Sequence, residues 1–289
     1  MNNTQFDKVA LGARCDNLRA YYAGASGHDE WARLARPPGS VEFAVNAHTI
    51  TAHLPPGSRV LDIGGGPGRY AIWLAEQGHR VALADISPEL LSEARDRIAA
   101  AGVDMLVEEI VEADARDLGR WPDASFDAAL SFGPFYHLTA EADRGRAAAE
   151  LARVLRPGGL AFIALMPRYA LLRRVLAQPD ERHRLAHPLF MRQLLDDGVF
   201  ENDVPGRFTG AYGVCAEEVT PFFARHNLAT LALLGSRSIM VGLEDALSAL
   251  AGDDPDAYQA TLDLAIRTAG DPSILGLCHH LLLIGRKSR

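Results

Sequence analysis

The chain has 289 residues, of which 48% are hydrophobic and 23% are charged, a composition typical of a globular enzyme with a large buried core. The formal net charge of −8 disfavours nucleic acids and acidic membranes as partners, because proteins that bind them usually present a basic face. The sequence contains no apolar run of about eighteen residues, no secretory signal pattern and only three widely spaced cysteines, so we expect a cytoplasmic protein without a disulfide framework.

The first part of the chain has a helical pattern. Residues 6–25 and 29–36 are predicted to be helices, and the following Pro37-Pro38-Gly39 is predicted to end the second one. Ser40 is then predicted to cap a third helix, whose apolar positions recur at spacings of three and four. We therefore expect a helical cap or lid over residues 1–57.

After residue 57 the pattern alternates between strand and helix. The strands are predicted near residues 59–63, 81–85, 106–111, 125–132 and 159–165, and the helices near 68–77, 88–101, 116–120 and 141–154. Such alternation predicts an α/β fold with a doubly wound, mainly parallel sheet that binds its ligand at the carboxyl ends of the strands. We expect this core over residues 58–166.

The rhythm breaks near residue 167. Residues 167–215 are rich in Leu, Arg and His, and we expect a helical insertion laid over the ligand crevice. Residues 216–289 are expected to complete a seven-stranded sheet, with strands near 229–235 and 280–285. His279 and His280 are interpreted as the start of the last strand rather than as a metal pair, and no metal is expected.

The most informative segment follows the first predicted strand. Asp62 stands at the tip of this strand, and Gly64, Gly66 and Gly68 allow a sharp turn and a close approach of the backbone to a ligand. The dinucleotide pattern G-x-G-x-x-G fails here, because its third glycine is replaced by Arg69. The carboxylate of Asp62 is suited to a cationic amine, so the predicted ligand is an amino acid joined to a nucleoside.

Four later segments repeat the theme of polar groups at strand ends. Asp85 ends the second predicted strand and Asp114 ends the third. The fourth and fifth segments are Ser125-Phe-Asp-Ala-Ala-Leu-Ser-Phe-Gly-Pro-Phe-Tyr-His-Leu138 and Leu151-Ala-Arg-Val-Leu-Arg-Pro-Gly-Gly-Leu-Ala-Phe-Ile163. Five ordered motifs between residues 58 and 166 are far more specific than a single glycine turn.

With these motifs the chain resembles the class I S-adenosylmethionine-dependent methyltransferases, which have a Rossmann-like fold. The resemblance implies S-adenosylmethionine as cofactor and a small molecule as methyl acceptor. It implies that Asp114 and the following Ala115 contact the adenine. Asp85, at the end of its strand, is placed to hold the ribose diol. Arg69 is a candidate to pair with the methionine carboxylate, and pairing with a surface acid is an equal alternative. The remaining candidates for cofactor binding are Asp62, Gly64, Gly66, Gly68, Ile86, Ser131, Phe132 and the lid tyrosines Tyr21 and Tyr22.

Two residues after the fourth strand are candidates for catalysis. His137 is placed to deprotonate an oxygen or nitrogen nucleophile, and Tyr136 to orient that nucleophile or face the sulfonium. A purely structural role of His137, in capping or packing, remains an alternative.

Three functional hypotheses follow. The leading one is methyl transfer to an oxygen or nitrogen atom of a small molecule. The second is a cyclase that converts S-adenosylmethionine into azetidine-2-carboxylate and methylthioadenosine, and the third is a non-catalytic module that binds the cofactor. The sequence favours no particular oligomeric state.

Overall fold

A mixed sheet with helices on both faces forms the centre of the protein. The computed structural model describes residues 19–22, 25–202, 208 and 210–288, and within these residues 19–22 are helical. The α-helices that follow are α1 (Ala25–Ala35), α2 (Pro37–His53), α3 (Arg69–Glu76), α4 (Pro88–Ala101), α5 (Pro134–His137), α6 (Glu141–Val154), α7 (Arg168–Ala177), α8 (Pro188–Leu195), α9 (Ala216–Ala224), α10 (Glu244–Asp253) and α11 (Pro255–Thr268). The strands are β1 (Arg59–Ile63), β2 (Arg80–Asp85), β3 (Val107–Glu112), β4 (Phe126–Ser131), β5 (Leu155–Pro167), β6 (Val199–Glu201), β7 (Gly210–Val214), β8 (Leu228–Gly235) and β9 (Leu281–Lys287).

Seven strands form the main sheet in the order β3-β2-β1-β4-β5-β9-β8. β1 to β5 are parallel, whereas β9 is antiparallel to both of its neighbours. The sheet order reverses at β1, which pairs with β2 on one side and β4 on the other. A crevice at such a reversal is where doubly wound sheets bind ligands. The expected α/β fold with a doubly wound, mainly parallel sheet is confirmed.

The core consists of two apolar layers separated by the sheet. On β1, Leu61 and Ile63 pack into one layer, and Val60 packs into the other. This division follows from the two-residue period of a strand, since successive side chains point to opposite faces. Helices cover both faces, so the β1 residues that follow Arg59 are fully buried.

The predicted helix over 29–36 is confirmed by α1, which ends at Ala35, just before Pro37. The predicted start of the next helix was wrong: α2 begins at Pro37 with Arg36 as its N-cap, and Ser40 is not the cap. Proline is compatible with the first helical turn because the N–H it lacks has no partner there anyway.

The predicted helix at residues 116–120 was also wrong. These residues form turns, and Asp114 pairs with Asp117 in an isolated β-bridge. The predicted helix at 6–25 lies almost wholly outside the described residues.

The segment 167–215 is only partly helical. It contains α7 and α8, as expected, but also the antiparallel pair β6 and β7, which the sequence analysis did not predict. β7 pairs with the last two residues of β5, Met166 and Pro167, so this segment extends the sheet beyond the seven expected strands. Among the described residues, no helix is both long and apolar enough to span a membrane.

Candidate active site

A deep cavity lies at the carboxyl edge of the sheet, beside the reversal point at β1. It brings together most of the residues singled out in the sequence: Tyr22, Asp62, Gly64, Gly66, Arg69, Asp85, Ile86, Asp114, Ala115, Phe132, Tyr136 and His137. Because the carboxyl ends of parallel strands meet at one edge, residues far apart in sequence converge here.

Three candidates for cofactor binding do not line this cavity. Gly68 is the N-cap of α3, has a left-handed conformation, and packs near Ala94. Ser131 is fully buried in β4, and Tyr21 packs edge-on against Tyr22. Contact of these three residues with the cofactor stays a prediction.

The glycine turn after β1 is built so tightly that side chains do not fit. Gly64 has a φ of +73°, which favours glycine, and its N–H donates to the carbonyl of Ala84 at 2.7 Å. A Cβ atom at Gly65, which the sequence analysis did not single out, would lie 2.6 Å from Oδ2 of Asp62. The backbone therefore approaches both the strand tip and the cavity without intervening side chains.

Asp62 is a buried carboxyl group with unused hydrogen-bonding capacity. The residue lines the cavity and is 1% exposed, and neither of its carboxylate oxygens has a hydrogen-bond partner of normal geometry in the described part of the chain. Burial, and then the nearby Asp85, raise the pKa of Asp62 to about 7, while the Ala71 backbone N–H offsets this only in part. A cationic ligand group placed beside it would satisfy both its charge and its lone pairs.

Asp85 holds the glycine turn and the next helix together. Its Oδ2 accepts from the N–H of Gly66 at 2.9 Å, and its Oδ1 accepts from the N–H of Ser87 at 2.9 Å. Burial raises the pKa of Asp85, although these hydrogen bonds lower it in part. Each oxygen keeps a second lone pair, so the carboxylate can accept from a ligand diol as well.

Asp114 is engaged by an arginine that the sequence analysis missed. The guanidinium of Arg116 forks onto both oxygens, with Nη2 2.5 Å from Oδ2 and Nε 2.9 Å from Oδ1, and it also reaches Asp143. Burial acts to raise the pKa of Asp114, but Arg116 lowers it overall. The adenine end of the predicted cofactor site is therefore bounded by a fixed, ionised pair.

Arg69 lies between two aromatic rings. Its guanidinium carbon is 5.0 Å from the centre of Trp31 and 5.3 Å from that of Phe43. Its Nε has no hydrogen-bond partner among the described residues, and burial lowers its pKa. Arg69 also lines the cavity, so its guanidinium group can face a ligand while the two aromatic rings pack against it.

A buried ionic network that the sequence analysis also missed forms another wall. The carboxylate of Glu42 lies 3.2 Å from Nδ1 of His280, 3.3 Å from Nη1 of Arg33 and 3.5 Å from Nε of Arg237. Burial alone would raise the pKa of Glu42, but these neighbours hold it well below its usual range. Ligand atoms of Glu42, His279 and His280 lie within 4.8 Å of one another. The two guanidinium groups beside the carboxylate oppose a metal cation there.

His137 is hydrogen-bonded to Tyr22, not to Tyr136. Tyr22 Oη lies 2.8 Å from Nε2 of His137, and Nδ1 of His137 lies 3.3 Å from the carbonyl oxygen of Gly210. The hydroxyl of Tyr136 instead donates to the carbonyl of Phe132 at 3.3 Å.

The protonation states of this pair follow from its surroundings. Burial lowers the pKa of His137 to about 4 and raises the pKa of Tyr22 well above its usual range, so both side chains are neutral at pH 7. The carbonyl of Gly210 can only accept, so the ring proton is on Nδ1. The Nε2 lone pair therefore accepts the hydroxyl proton of Tyr22.

The helical residues 19–22 close one side of the cavity. Arg19 donates from Nε to the carbonyl of Ile86 at 3.0 Å and pairs with Glu112 at 2.6 Å. Tyr22 reaches His137 from the same segment. This segment thus bridges the ends of β2 and β4 across the cavity.

The core of the chain is similar to known proteins. Residues 61–163 match the family described as a methyltransferase domain. The chain is 40% identical over 111 residues to methyltransferase GfsG of Streptomyces halstedii, and the match covers 37% of each chain. It is 40% identical over 117 residues to the ubiquinone/menaquinone biosynthesis C-methyltransferase UbiE of Xanthomonas campestris, covering 39% of this chain and 44% of that protein.

Another relative has a different kind of acceptor in its name. The chain is 34% identical over 116 residues to the tRNA 5-carboxymethoxyuridine methyltransferase of Escherichia coli, covering 39% of this chain and 42% of that protein. The match thus spans less than half of the length of each of these three relatives.

The fold is shared over most of the chain. The solved structure of the Burkholderia thailandensis 1,6-didemethyltoxoflavin-N1-methyltransferase aligns with a TM-score of 0.58 and 20% identity, covering 98% of this chain and 90% of that one. Residues 61–163 thus match a methyltransferase domain, and the chain shares its fold with a solved methyltransferase. These comparisons support a class I S-adenosylmethionine-dependent methyltransferase with S-adenosylmethionine as its cofactor.

Proposed function

We propose that the protein transfers the methyl group of S-adenosylmethionine to an oxygen or nitrogen atom of a small-molecule acceptor. The observation that carries this proposal is the continuity of the cavity. It runs from the predicted cofactor residues Asp62 and Asp85 to Tyr22 and the neutral imidazole of His137. A site that only binds the cofactor has no need of a neutral base beside it.

The side chains at the sheet edge fit the parts of the cofactor. Asp62 suits the ammonium group, Asp85 the ribose diol, and Asp114 and Ala115 the adenine, with Ile86 beside them. Arg69 suits the methionine carboxylate, because it is a cation that lines the cavity with an unpartnered Nε. When bound, the sulfonium supplies an activated methyl group whose leaving group is a neutral thioether.

The protein then has to position the acceptor and take its proton. Holding two reactants in line can lower a barrier by roughly 7–11 kcal/mol, and a positioned base adds about 10²–10⁴-fold in rate. His137 is suited to be this base, because its imidazole is neutral and its Nδ1–H is held by the carbonyl of Gly210, which would stabilise the imidazolium.

The surroundings of the site support a small acceptor. The segment 19–22 lies across the cavity, and the chain carries a formal net charge of −8, which disfavours an RNA or membrane partner. We propose a cytoplasmic enzyme whose acceptor is neither nucleic acid nor lipid.

Transfer of a deuterium-labelled methyl group tests this proposal. The protein is incubated with S-adenosylmethionine whose methyl group carries three deuterium atoms, and separately with the small-molecule, RNA and protein fractions of a cell extract. Mass spectrometry then follows the deuterium label and the nucleoside products. We expect S-adenosylhomocysteine together with a labelled product in the small-molecule fraction. Label in RNA would contradict the acceptor class, and methylthioadenosine formed without any acceptor would establish the cyclase.

Two variants separate catalysis from binding. His137→Gln is expected to reduce transfer by about 10²–10⁴-fold while leaving the affinity for S-adenosylhomocysteine unchanged. The matched control His183→Gln alters an exposed histidine and should be fully active. Tight cofactor binding with no transfer to any fraction would favour the non-catalytic module.

A further inference from the structure

The contact between Tyr22 and His137 determines how a proton can leave the site. We propose that Tyr22 is a catalytic residue that relays the acceptor's proton to His137, and that the acceptor is a neutral molecule whose reacting atom is a hydroxyl oxygen or a ring N–H nitrogen. This inference rests on the proposed methyl transfer and assigns Tyr22 a role beyond the predicted contact with the cofactor.

The hydroxyl of Tyr22 covers the basic nitrogen Nε2 of His137. Its Nδ1 faces the carbonyl of Gly210, and its Nε2 lies 2.8 Å from the hydroxyl of Tyr22. Tyr22 also lines the cavity. An acceptor therefore reaches the lone pair of His137 through the hydroxyl of Tyr22, which can accept one proton while it gives up another.

Aromatic rings surround the pair of Tyr22 and His137. Rings pack around it, with centres 5.3 Å apart for His137 and Phe208, 4.8 Å for His137 and Tyr136, and 5.1 Å for Tyr21 and Tyr22. Of these rings, those of Tyr22, Tyr136 and His137 line the cavity, and an aromatic lining suits a planar, neutral molecule.

The charged groups near the pair disfavour an anionic acceptor. Those that act on Tyr22 are the acidic Glu30 and Asp85, beside the phenols Tyr21 and Tyr136, while His280 acts on His137. An acceptor that ionised before the reaction would be repelled by the two acids. The proton should therefore leave as the methyl group is transferred.

The base strength of the pair points the same way. The lowered pKa of His137, about 4, makes it too weak a base to deprotonate an aliphatic ammonium group. A hydroxyl oxygen becomes a strong acid once it has accepted a methyl group, and then even a weak base can take its proton.

Methyl transfer forms one bond, breaks another and moves one proton out of the acceptor. The acceptor oxygen or nitrogen forms a bond to the methyl carbon, the carbon–sulfur bond breaks, and its electron pair remains on sulfur as a neutral thioether. The acceptor's proton passes to Oη of Tyr22, and the original hydroxyl proton of Tyr22 passes to Nε2 of His137. The resulting imidazolium, held at Nδ1 by Gly210, releases its proton to solvent before the next turnover.

The state of the pair can be tested without any acceptor. In ¹⁵N NMR spectra of the S-adenosylhomocysteine complex at neutral pH, we expect His137 to be neutral, protonated on Nδ1, and hydrogen-bonded at Nε2. Tyr22→Phe should shift the Nε2 signal towards that of an unbonded lone pair, whereas the control Tyr169→Phe, at a half-exposed tyrosine, should not. A protonated His137, or one with its proton on Nε2, would overturn the relay.

Two reactions test the relay in catalysis. One is transfer from S-adenosylmethionine to the small-molecule fraction. The other is formation of S-adenosylmethionine from S-adenosylhomocysteine and methyl iodide, which moves a methyl group without any proton. We expect Tyr22→Phe to slow the first on the order of 10²-fold, with an unchanged affinity for the cofactor, and to leave the second nearly unchanged.

The outcomes separate this inference from the proposed function. Equal slowing of both reactions would show that Tyr22 positions the cofactor, and no slowing of either would show that the proton leaves another way; both results overturn the relay. A labelled aliphatic amine or a methyl ester as product would overturn the acceptor class. Failure of the wild-type protein in both reactions would instead contradict the proposed methyl transfer.

Discussion

Replacing Asp62 with Asn should change both the pH dependence of stability and the binding of the cofactor. In the folded protein without ligand, burial and Asp85 raise the pKa of Asp62 from 3.8 to about 7. This is a rise of roughly three units, so ionising Asp62 costs the folded state ~4 kcal/mol at 1.36 kcal/mol per unit.

The sign of the effect follows from proton linkage. Between pH 3.8 and about 7 the folded protein keeps a proton that the unfolded chain has lost, so the free energy of unfolding falls as the pH rises through this window. Below the window both states are protonated at this site, and above it the full cost is present. Asp62→Asn cannot ionise and should remove this part of the slope.

Cofactor binding should respond in the opposite direction. The ammonium group of S-adenosylmethionine favours the ionised carboxylate, so the affinity of the wild-type protein should rise with pH through about 7. Asp62→Asn should lose this dependence and, above pH 7, bind roughly 10- to 100-fold more weakly, as expected for the loss of a charged hydrogen bond.

Chemical denaturation and calorimetric titration across this pH range measure both effects. Asp104→Asn is the matched control, because Asp104 is exposed and does not line the cavity. Parallel stability curves for the wild-type protein and Asp62→Asn, or equal affinity for the cofactor above pH 7, would refute the reasoning.

Three further variants test other parts of the site. Asp85→Ala should weaken cofactor binding by about 1–3 kcal/mol in calorimetry, and an unchanged dissociation constant would remove the ribose assignment. Glu42→Gln should lower the free energy of unfolding by about 1.5–3 kcal/mol, because it removes the charged partner that Arg33 and Arg237 share, while Arg33 keeps Glu30 and Arg237 keeps Glu244. Since the pKa of Glu42 is lowered, this contribution should be present above its ordinary value of 4.5 and be lost as the pH falls through the folded value; equal stability of the variant in denaturation at pH 7 would contradict this. Arg69→Met should weaken binding of S-adenosylhomocysteine roughly 10-fold but not that of methylthioadenosine, which lacks the carboxylate, and equal weakening of both would assign Arg69 a structural role.

The sequence predicted which strand-end residues meet at one cavity because the signals there are local. A strand, an acid and a glycine turn stand together at Asp62, and Asp85 and Asp114 each follow a strand whose position in a parallel sheet is predictable. Convergence at one edge of the sheet then follows from topology.

The opposite wall of the cavity depends on contacts that no local pattern reveals. Glu42 meets His280 across 238 positions, and Tyr22 meets His137 across 115. Glu42 lies on the buried face of α2, where an acid is not expected unless its partners are known.

The errors in secondary structure have local causes. Proline both stops a preceding helix and fits the first turn of the next one, so the sequence predicted the end of α1 but placed the start of α2 too late, at Ser40. β6 and β7 have only three and five residues, too short to show a clear alternation.

A crystal structure of the complex with S-adenosylhomocysteine would show whether this cavity holds the cofactor. We expect the amine at Asp62, the ribose hydroxyls at Asp85, the adenine between Ile86 and Ala115, and the sulfur facing the part of the cavity that Tyr22 and His137 line. A ligand bound elsewhere, or one whose sulfur faces away from Tyr22 and His137, would contradict this expectation.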